Sequence, residues 1–347
     1  NYVLGTAVQR GFANSKMINR FLSWETTTVL NLGLDLAFMR NRLTAAVDYY
    51  DRLTTGMNRP SEFSTFLSAA YSPAPRTNIG NLRNRGVEID LSWKDRIGKL
   101  QYGFNLNGAF NTTNLEKWNQ LLLRGNVFLE MPYQFVYSYQ DNGIAQSWAD
   151  IYKNTPQGAA PGDLLMKDLN GDGRITADDR KAYSNLQQER PTTTFSFNTY
   201  VAYKGFDFTL FLQGAAGRKD YWQTIYNNTN FGNSRYAATW EHWTNPWSWD
   251  NRDGLWPRLG GSGNNRNQTS FWLDDMSYLR VKNLQLGYTV PTKVLSRLGV
   301  TNLRIVGSAE NIGTLSAFRG LDPEKQGDDN NVYPINKSYS LAINLSF

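Results

Sequence analysis

The chain has 347 residues, with 36 Lys and Arg against 30 Asp and Glu (formal net charge +6), 14% aromatic residues and no Cys. The absence of cysteine removes disulfides, thiolate metal sites and a Cys nucleophile, and the basic residues are scattered through turns and loops, which argues against a nucleic-acid role. No run of 18 apolar residues occurs, which excludes a transmembrane helix but not a transmembrane barrel, whose strands hide their apolarity by alternation.

Residues 1–24 read as the remainder of an outer loop, with a short strand expected within Tyr2–Val8. Strands are then predicted near 25–39, 43–52, 85–94, 100–112, 193–203, 206–216, 276–290, 301–311 and 337–347. Leu30, Leu32, Leu34, Leu36 and Phe38 alternate with Asn31, Gly33, Asp35 and Ala37, which puts an apolar row on one face and a polar row on the other. The same alternation places Val87, Ile89, Leu91 and Trp93 opposite Glu88, Asp90 and Ser92, and Leu100, Tyr102, Phe104 and Leu106 opposite Asn105 and Asn107. Further on, Phe206, Phe208, Leu210 and Leu212 face away from Asp207, Thr209 and Gln213, and Tyr339, Leu341, Ile343, Leu345 and Phe347 face away from Ser340, Ala342, Asn344 and Ser346.

A soluble calcium-dependent carbohydrate-binding β-sandwich also alternates in this way. Two features favour a membrane barrel. Aromatic residues often close the apolar rows, as girdles do. The links also alternate: short after the first, third, fifth and seventh strands, and long at 53–84, 113–192, 217–275 and 312–336. Brief periplasmic turns and extended outer loops give that alternation. An odd count of nine strands against the even count of a single-chain bacterial barrel leads to the expectation that 25–347 is the C-terminal part of a larger all-β, antiparallel transmembrane barrel. On this reading Asp35, Asp48, Glu88, Asp90, Asn105 and Asn107 face the lumen.

Four segments resemble the SusC/RagA-like TonB-dependent transporters of Bacteroidota outer membranes. They are Leu22–Thr27 with Gly33-Leu34-Asp35, Asn41-Arg42-Leu43 and Asp48-Tyr49-Tyr50; Asn78–Asn81 with Asn84–Ile89; Ser277–Tyr288 followed by Pro291; and Gly320–Glu324. The terminal aromatic Phe347 fits as well. The resemblance implies a bacterial outer-membrane, multi-pass barrel of roughly 22 strands with a plugged lumen. It further implies a plug domain and TonB box outside this chain, a TonB-ExbB-ExbD motor, a SusD-like surface lipoprotein over the mouth, and glycans or oligopeptides as imported substrates.

Asp168, Asn170, Asp172, Arg174, Thr176 and Asp179 occupy positions 1, 3, 5, 7, 9 and 12 of a calcium-type loop, the seventh through its carbonyl, with Gly173 at the sixth for the sharp turn. Asp stands where an EF-hand has Glu. A structural Ca²⁺ is expected there, and Mg²⁺ fits the same hard oxygens; the competing reading is an Asp/Asn/Gly turn whose side chains bond their own backbone.

The long links collect aromatic residues. Trp118, Tyr137, Tyr139, Trp148, Trp222, Trp240 and Trp243 are candidates for substrate or partner contact, because aromatic faces stack on sugar rings and peptide side chains. The same residues equally suit packing of the loops on one another. A glycan-degrading enzyme is disfavoured. His242 is the single histidine, no nucleophile elbow, P-loop or zinc-protease motif occurs, and the adjacent carboxylates of Asp274 and Asp275 point to opposite faces of a strand.

Overall fold

The computed structural model describes residues 2–4, 7–9, 19–60, 75–119, 129, 131–132, 135–154, 157–187, 190–221, 243–261, 263–295, 299–320, 322–325 and 335–347. Two short strands, β1 (Tyr2–Leu4) and β2 (Ala7–Gln9), pair antiparallel, where a single strand was expected. The main sheet has nine strands: β3 (Thr26–Phe38), β4 (Leu43–Pro60), β5 (Arg76–Ile97), β6 (Leu100–Trp118), β11 (Thr193–Tyr203), β12 (Phe206–Ala216), β15 (Tyr278–Thr289), β16 (Asn302–Ser316) and β17 (Ser338–Ser346). Each neighbours the next in this order. All nine coincide with predicted positions, but β4, β5, β6 and β16 run further toward the long links than the alternation suggested.

The short connections have the chemistry that tight turns need. Lys204 and Gly205 both take positive φ (49° and 91°), the geometry of a two-residue hairpin turn whose twist matches the strands. Gly205 is also required by space, since a Cβ there would lie 2.7 Å from the Thr289 carbonyl oxygen. Met39, Arg40 and Asn41 turn β3 into β4 with positive φ throughout, and the link after Pro291 holds one helical turn, Thr292–Leu295.

The described chain divides into two compact units. The first comprises 1–32, 50–85 and 112–133. Its strand segments are tied by Asn78, whose side chain accepts from Ser23 N (2.9 Å) and donates to Ser23 O (3.0 Å) and Gly56 O (2.6 Å). Arg83 forks onto Asp51 (2.8 and 2.6 Å) and reaches Glu116 (2.9 Å). Gly80 lets β6 approach, because a Cβ there would stand 2.8 Å from Lys117 O and 3.1 Å from the Trp118 ring. The Asn-x-Gly-Asn segment is thus a backbone-crowding motif.

The second unit comprises 33–49, 86–111 and 134–347. There β11 pairs with both β6 and β12 over eleven residues without a register shift. Register slips at Lys282, where β15 carries one residue more than β12 opposite it. This bulge exchanges the faces of β15, so Tyr278 and Arg280 share a face with Asn283, Gln285 and Gly287. The Ser277–Tyr288 segment therefore lacks strict alternation.

The described parts of the links at 113–192 and 217–275 contain strands and a helix. Strand β7 (Phe135–Tyr139) pairs with β10 (Arg180–Gln187), β8 (Asp141–Ile144) with β9 (Leu164–Met166), and β13 (Lys219–Tyr221) with β14 (Leu273–Asp275). Helix α1 (Trp148–Lys153) is capped by Ser147, whose side chain accepts from Asp150 N. Val136, Leu164, Tyr221, Trp256, Trp272, Met276 and Phe318 form one buried cluster, drawing on three different long links. Asp163, fully buried, accepts from Arg258 (2.8 and 3.1 Å) and from Asn265 (3.0 Å), which knots two of those links together.

Candidate functional site

The nine-stranded sheet has two chemically different faces. Paired outward rows in the second unit run Tyr203–Phe206–Tyr288–Ile305–Ile343 and Val201–Phe208–Leu286–Gly307–Leu341 across β11, β12, β15, β16 and β17. Leu286 is 55% exposed and Leu341 74%; no second sheet covers them among the described residues. Apolar surface of that extent facing outward marks a contact with something other than water. Among the described residues no helix is long and apolar enough to cross a membrane.

The opposite face is polar and cross-linked between strands. Asn105 donates to Asp90 (3.0 Å) and Ser92 (2.6 Å), and Asn107 donates to Asn105 (2.6 Å) and Ser196 (3.2 Å). Arg304 on β16 reaches over Gly287 to Asp207 on β12 (2.7 Å), because a Cβ at 287 would sit 2.5 Å from that carboxylate. Gly33 makes the same room for Asp48 (2.5 Å), which puts Asp35, two residues along β3, on the face of Asp48. Glu88, Asp90, Asp48 and Asn107 line a trough of about 560 Å³ with Ser196, Gln213 and Phe211. Three carboxylates and no Lys or Arg line it. Phe211 was passed over in the sequence because its neighbours Leu210 and Leu212 dominate the outward row; its odd position in β12 was the available signal.

The loop aromatics divide. Trp118 packs over Gly80, and Tyr137 and Tyr139 are half-buried on β7, with Arg180 above the Tyr139 ring at 5.0 Å. Trp247, Trp256 and Trp272 are buried. Trp148, Trp243 and Trp249 are more than half exposed. Trp222, Trp240 and His242 lie outside the described residues. Tyr152, four residues after Trp148 on α1, joins it as an exposed ring pair with centroids 6.4 Å apart; helical spacing was its signal. Asp274 is buried in β14 and paired with Arg319 (2.5 Å), so it serves the packing of the loops.

The 168–179 loop is closed by its own side chains. Asp168 accepts from Gly171 N (2.7 Å) and Gly173 N (2.8 Å), Asn170 from Asp172 N (3.0 Å), and Asp172 from Arg174 N (2.8 Å). Asp179, fully buried, accepts from Thr176 N (2.7 Å) and Leu169 N (2.9 Å). The Thr176 N–H above all, with those of Leu169 and Asn170, holds its carboxyl below the usual carboxylate range against the opposing effect of burial. Among the described residues no three His, Asp or Glu side chains converge as a metal site would require.

An antiparallel sheet with one apolar and one polar face, its strands joined by tight turns alternating with long links, is what a segment of an outer-membrane β-barrel presents. No family model matches the chain. TonB-dependent receptor P3 of Formosa agariphila is 29% identical over 391 aligned positions, covering 99% of this chain and 36% of that protein. TonB-dependent receptor SusC of Bacteroides thetaiotaomicron is 25% identical, covering 96% of this chain and 33% of that protein. Among solved structures, a RagAB peptide transporter chain aligns over 95% of this chain and 36% of its own length, with a TM-score of 0.74 and 23% identity, a likeness of fold. The chain is thus similar along its whole length to TonB-dependent receptors, an outer-membrane barrel portion spanning about a third of the relatives it matches.

Proposed function

We propose that this chain is a wall and outer-loop portion of a TonB-dependent importer of glycans or oligopeptides. The observation that carries the reading is the two-faced wall: exposed aliphatic rows outward, and a hydrogen-bonded polar face inward that lines the 560 Å³ trough. Asp35, Asp48, Glu88, Asp90, Asn105 and Asn107 would line the route, with a plug elsewhere in the parent protein pulled by TonB-ExbB-ExbD. The exposed Trp148–Tyr152 pair, Trp243 and Trp249 would meet the substrate or a SusD-like lipoprotein, since aromatic faces serve both. The solved RagAB structure is named as a peptide transporter, and the exposed loop aromatics suit sugar rings and peptide side chains alike.

Deleting the parent gene and measuring uptake of fluorescent oligosaccharide and oligopeptide pools tests this reading. Uptake of one pool should fall and return on complementation, and Trp148→Ala with Tyr152→Ala should raise the substrate concentration for half-maximal uptake. Unchanged uptake of both pools would refute import. A structural Ca²⁺ in the 168–179 loop is a subordinate proposal resting on ligand spacing; terbium luminescence that titrates with protein and is lost in Asp168→Ala tests it.

A further inference from the structure

Residues 317–320 and 322–325 follow β16, and they are gripped at two places. On one side Phe318 joins the buried cluster of the loops with Trp256, Trp272 and Met276. Arg319 beside it pairs with Asp274 (2.8 Å), donates to Phe271 O (3.2 Å) and lies 4.9 Å from the centre of the Trp256 ring. On the other side Arg280 donates to Asp322 (2.6 Å) and Glu324 (2.5 Å), Lys282 approaches Glu324 (3.3 Å), and Arg218 donates to Lys325 O (2.9 Å).

Arg280 belongs to the inner wall. It stands opposite Gln213 of β12 and Thr314 of β16 in the sheet register, and its Nε donates to the Thr314 hydroxyl (2.9 Å). Its remaining donors spread over two carboxylates of the 322–325 segment, a use suited to the fixed fork of a guanidinium. Arg280 and Asp322 are 4% and 2% exposed. Asp322 Oδ1 accepts from Arg280 and from Glu324 N (3.0 Å), while Oδ2 is buried with no hydrogen bond, so Arg280 supplies the charge that compensates this buried carboxylate. A cavity of about 120 Å³ beside Pro323, Glu324 and Tyr278 shares Thr194, Gln213 and Gly214 with the trough. The segment therefore passes from the loop cluster onto the inner face, next to the trough's loop-side end.

We propose that residues 317–320 and 322–325 form a strap pinning the outer-loop cluster to the inner wall, with Arg280 as the lumen-side anchor, and that this strap limits the size of solute passing Gln213 into the trough. Arg280 is on this account a positioning residue. The proposal rests on the importer reading of the inner face.

The test uses the full-length parent in intact cells, with Gln213→Cys introduced and the version lacking it as background; the present chain contributes no other cysteine. Two thiol reagents are compared, a small membrane-impermeant methanethiosulfonate and a maleimide on a long polyethylene glycol. The small reagent should label with Arg280 present or replaced. The bulky one should label slowly with Arg280 present and about 10- to 1,000-fold faster after Arg280→Ala, the range expected when an open state populated at about 0.1–10% becomes dominant. Arg280→Lys should fall between, keeping the charge without the fork. Heat-modifiable electrophoretic mobility checks the barrel. If Arg280→Ala fails to fold, Asp322→Asn with Glu324→Gln removes the strap's half of the clasp and should give the same acceleration. Equal bulky labelling with and without the clasp overturns the strap while leaving the importer reading intact. Labelling of Gln213→Cys only by a lipid-soluble reagent overturns the inner-face assignment itself.

Discussion

The row Leu30, Leu32, Leu34, Leu36 and Phe38 offers a direct test of what the wall touches. Leu34 is its middle member and 58% exposed. At about 3.4 Å per residue, four residues separate it from either end by about 14 Å along the strand, or roughly 10 Å of depth for a strand tilted near 45°. It therefore lies near the centre of an apolar band. If that band faces hydrocarbon, Leu34→Arg costs about 2–4 kcal/mol, a factor of roughly 30 to 1,000 in the folding equilibrium. If the row faced water, replacing a side chain already this exposed would change stability by no more than about 0.5 kcal/mol. Ala37→Arg, on the opposite face of the same strand, is the control and should stay within about 0.5 kcal/mol in either case. Equilibrium unfolding of the full-length protein in lipid bilayers, followed by tryptophan fluorescence, measures both. The heat-modifiable fraction in isolated outer membranes gives an independent reading. Equal costs for the two variants, or a neutral Leu34→Arg, would refute the lipid-facing assignment.

Trp272→Ala empties the centre of the loop cluster, where Trp272 is fully buried and stacked on Trp256 at 6.0 Å. It should cost about 3–5 kcal/mol locally, speeding proteolysis of the loops while heat-modifiable mobility persists; unchanged cleavage would show that the cluster does not hold the loops. Gly205→Ala places a Cβ at positive φ against the Thr289 carbonyl and should lower stability by about 1–2 kcal/mol, read as a lower denaturant midpoint. Because the folded pKa of Asp179 is depressed, its contribution is complete above the unfolded value of about 3.9 and is lost as pH falls through the folded value. Amide exchange in 168–179, corrected for the intrinsic pH effect, should therefore accelerate on acidification through that window. Asp179→Asn should bring about 1.5–3 kcal/mol of that loosening to neutral pH, and a variant that exchanges like the parent would sink the account.

The sequence alone determined the two-faced wall and its turns. Alternation is a period-two property of the backbone, so Leu30 to Phe38 and Tyr339 to Phe347 declare their faces without reference to partners. Lys204-Gly205 likewise declares a hairpin, because positive φ is a local demand. The polar face of Asp48, Glu88, Asp90 and Asn107 was legible for the same reason, although the trough they share was not.

Only the tertiary structure decided the rest. An aromatic residue in a long link can pack or stay exposed with the same local sequence, and distant chain segments sealed Trp256 and Trp272 inside while leaving Trp148 and Trp249 out. The bulge at Lys282 reverses the face of Arg280 through the register of β12 and β16. Arg280 then meets Asp322, 42 positions later, a pairing that chain order cannot announce, since burial of both charges depends on a fold that brings them together.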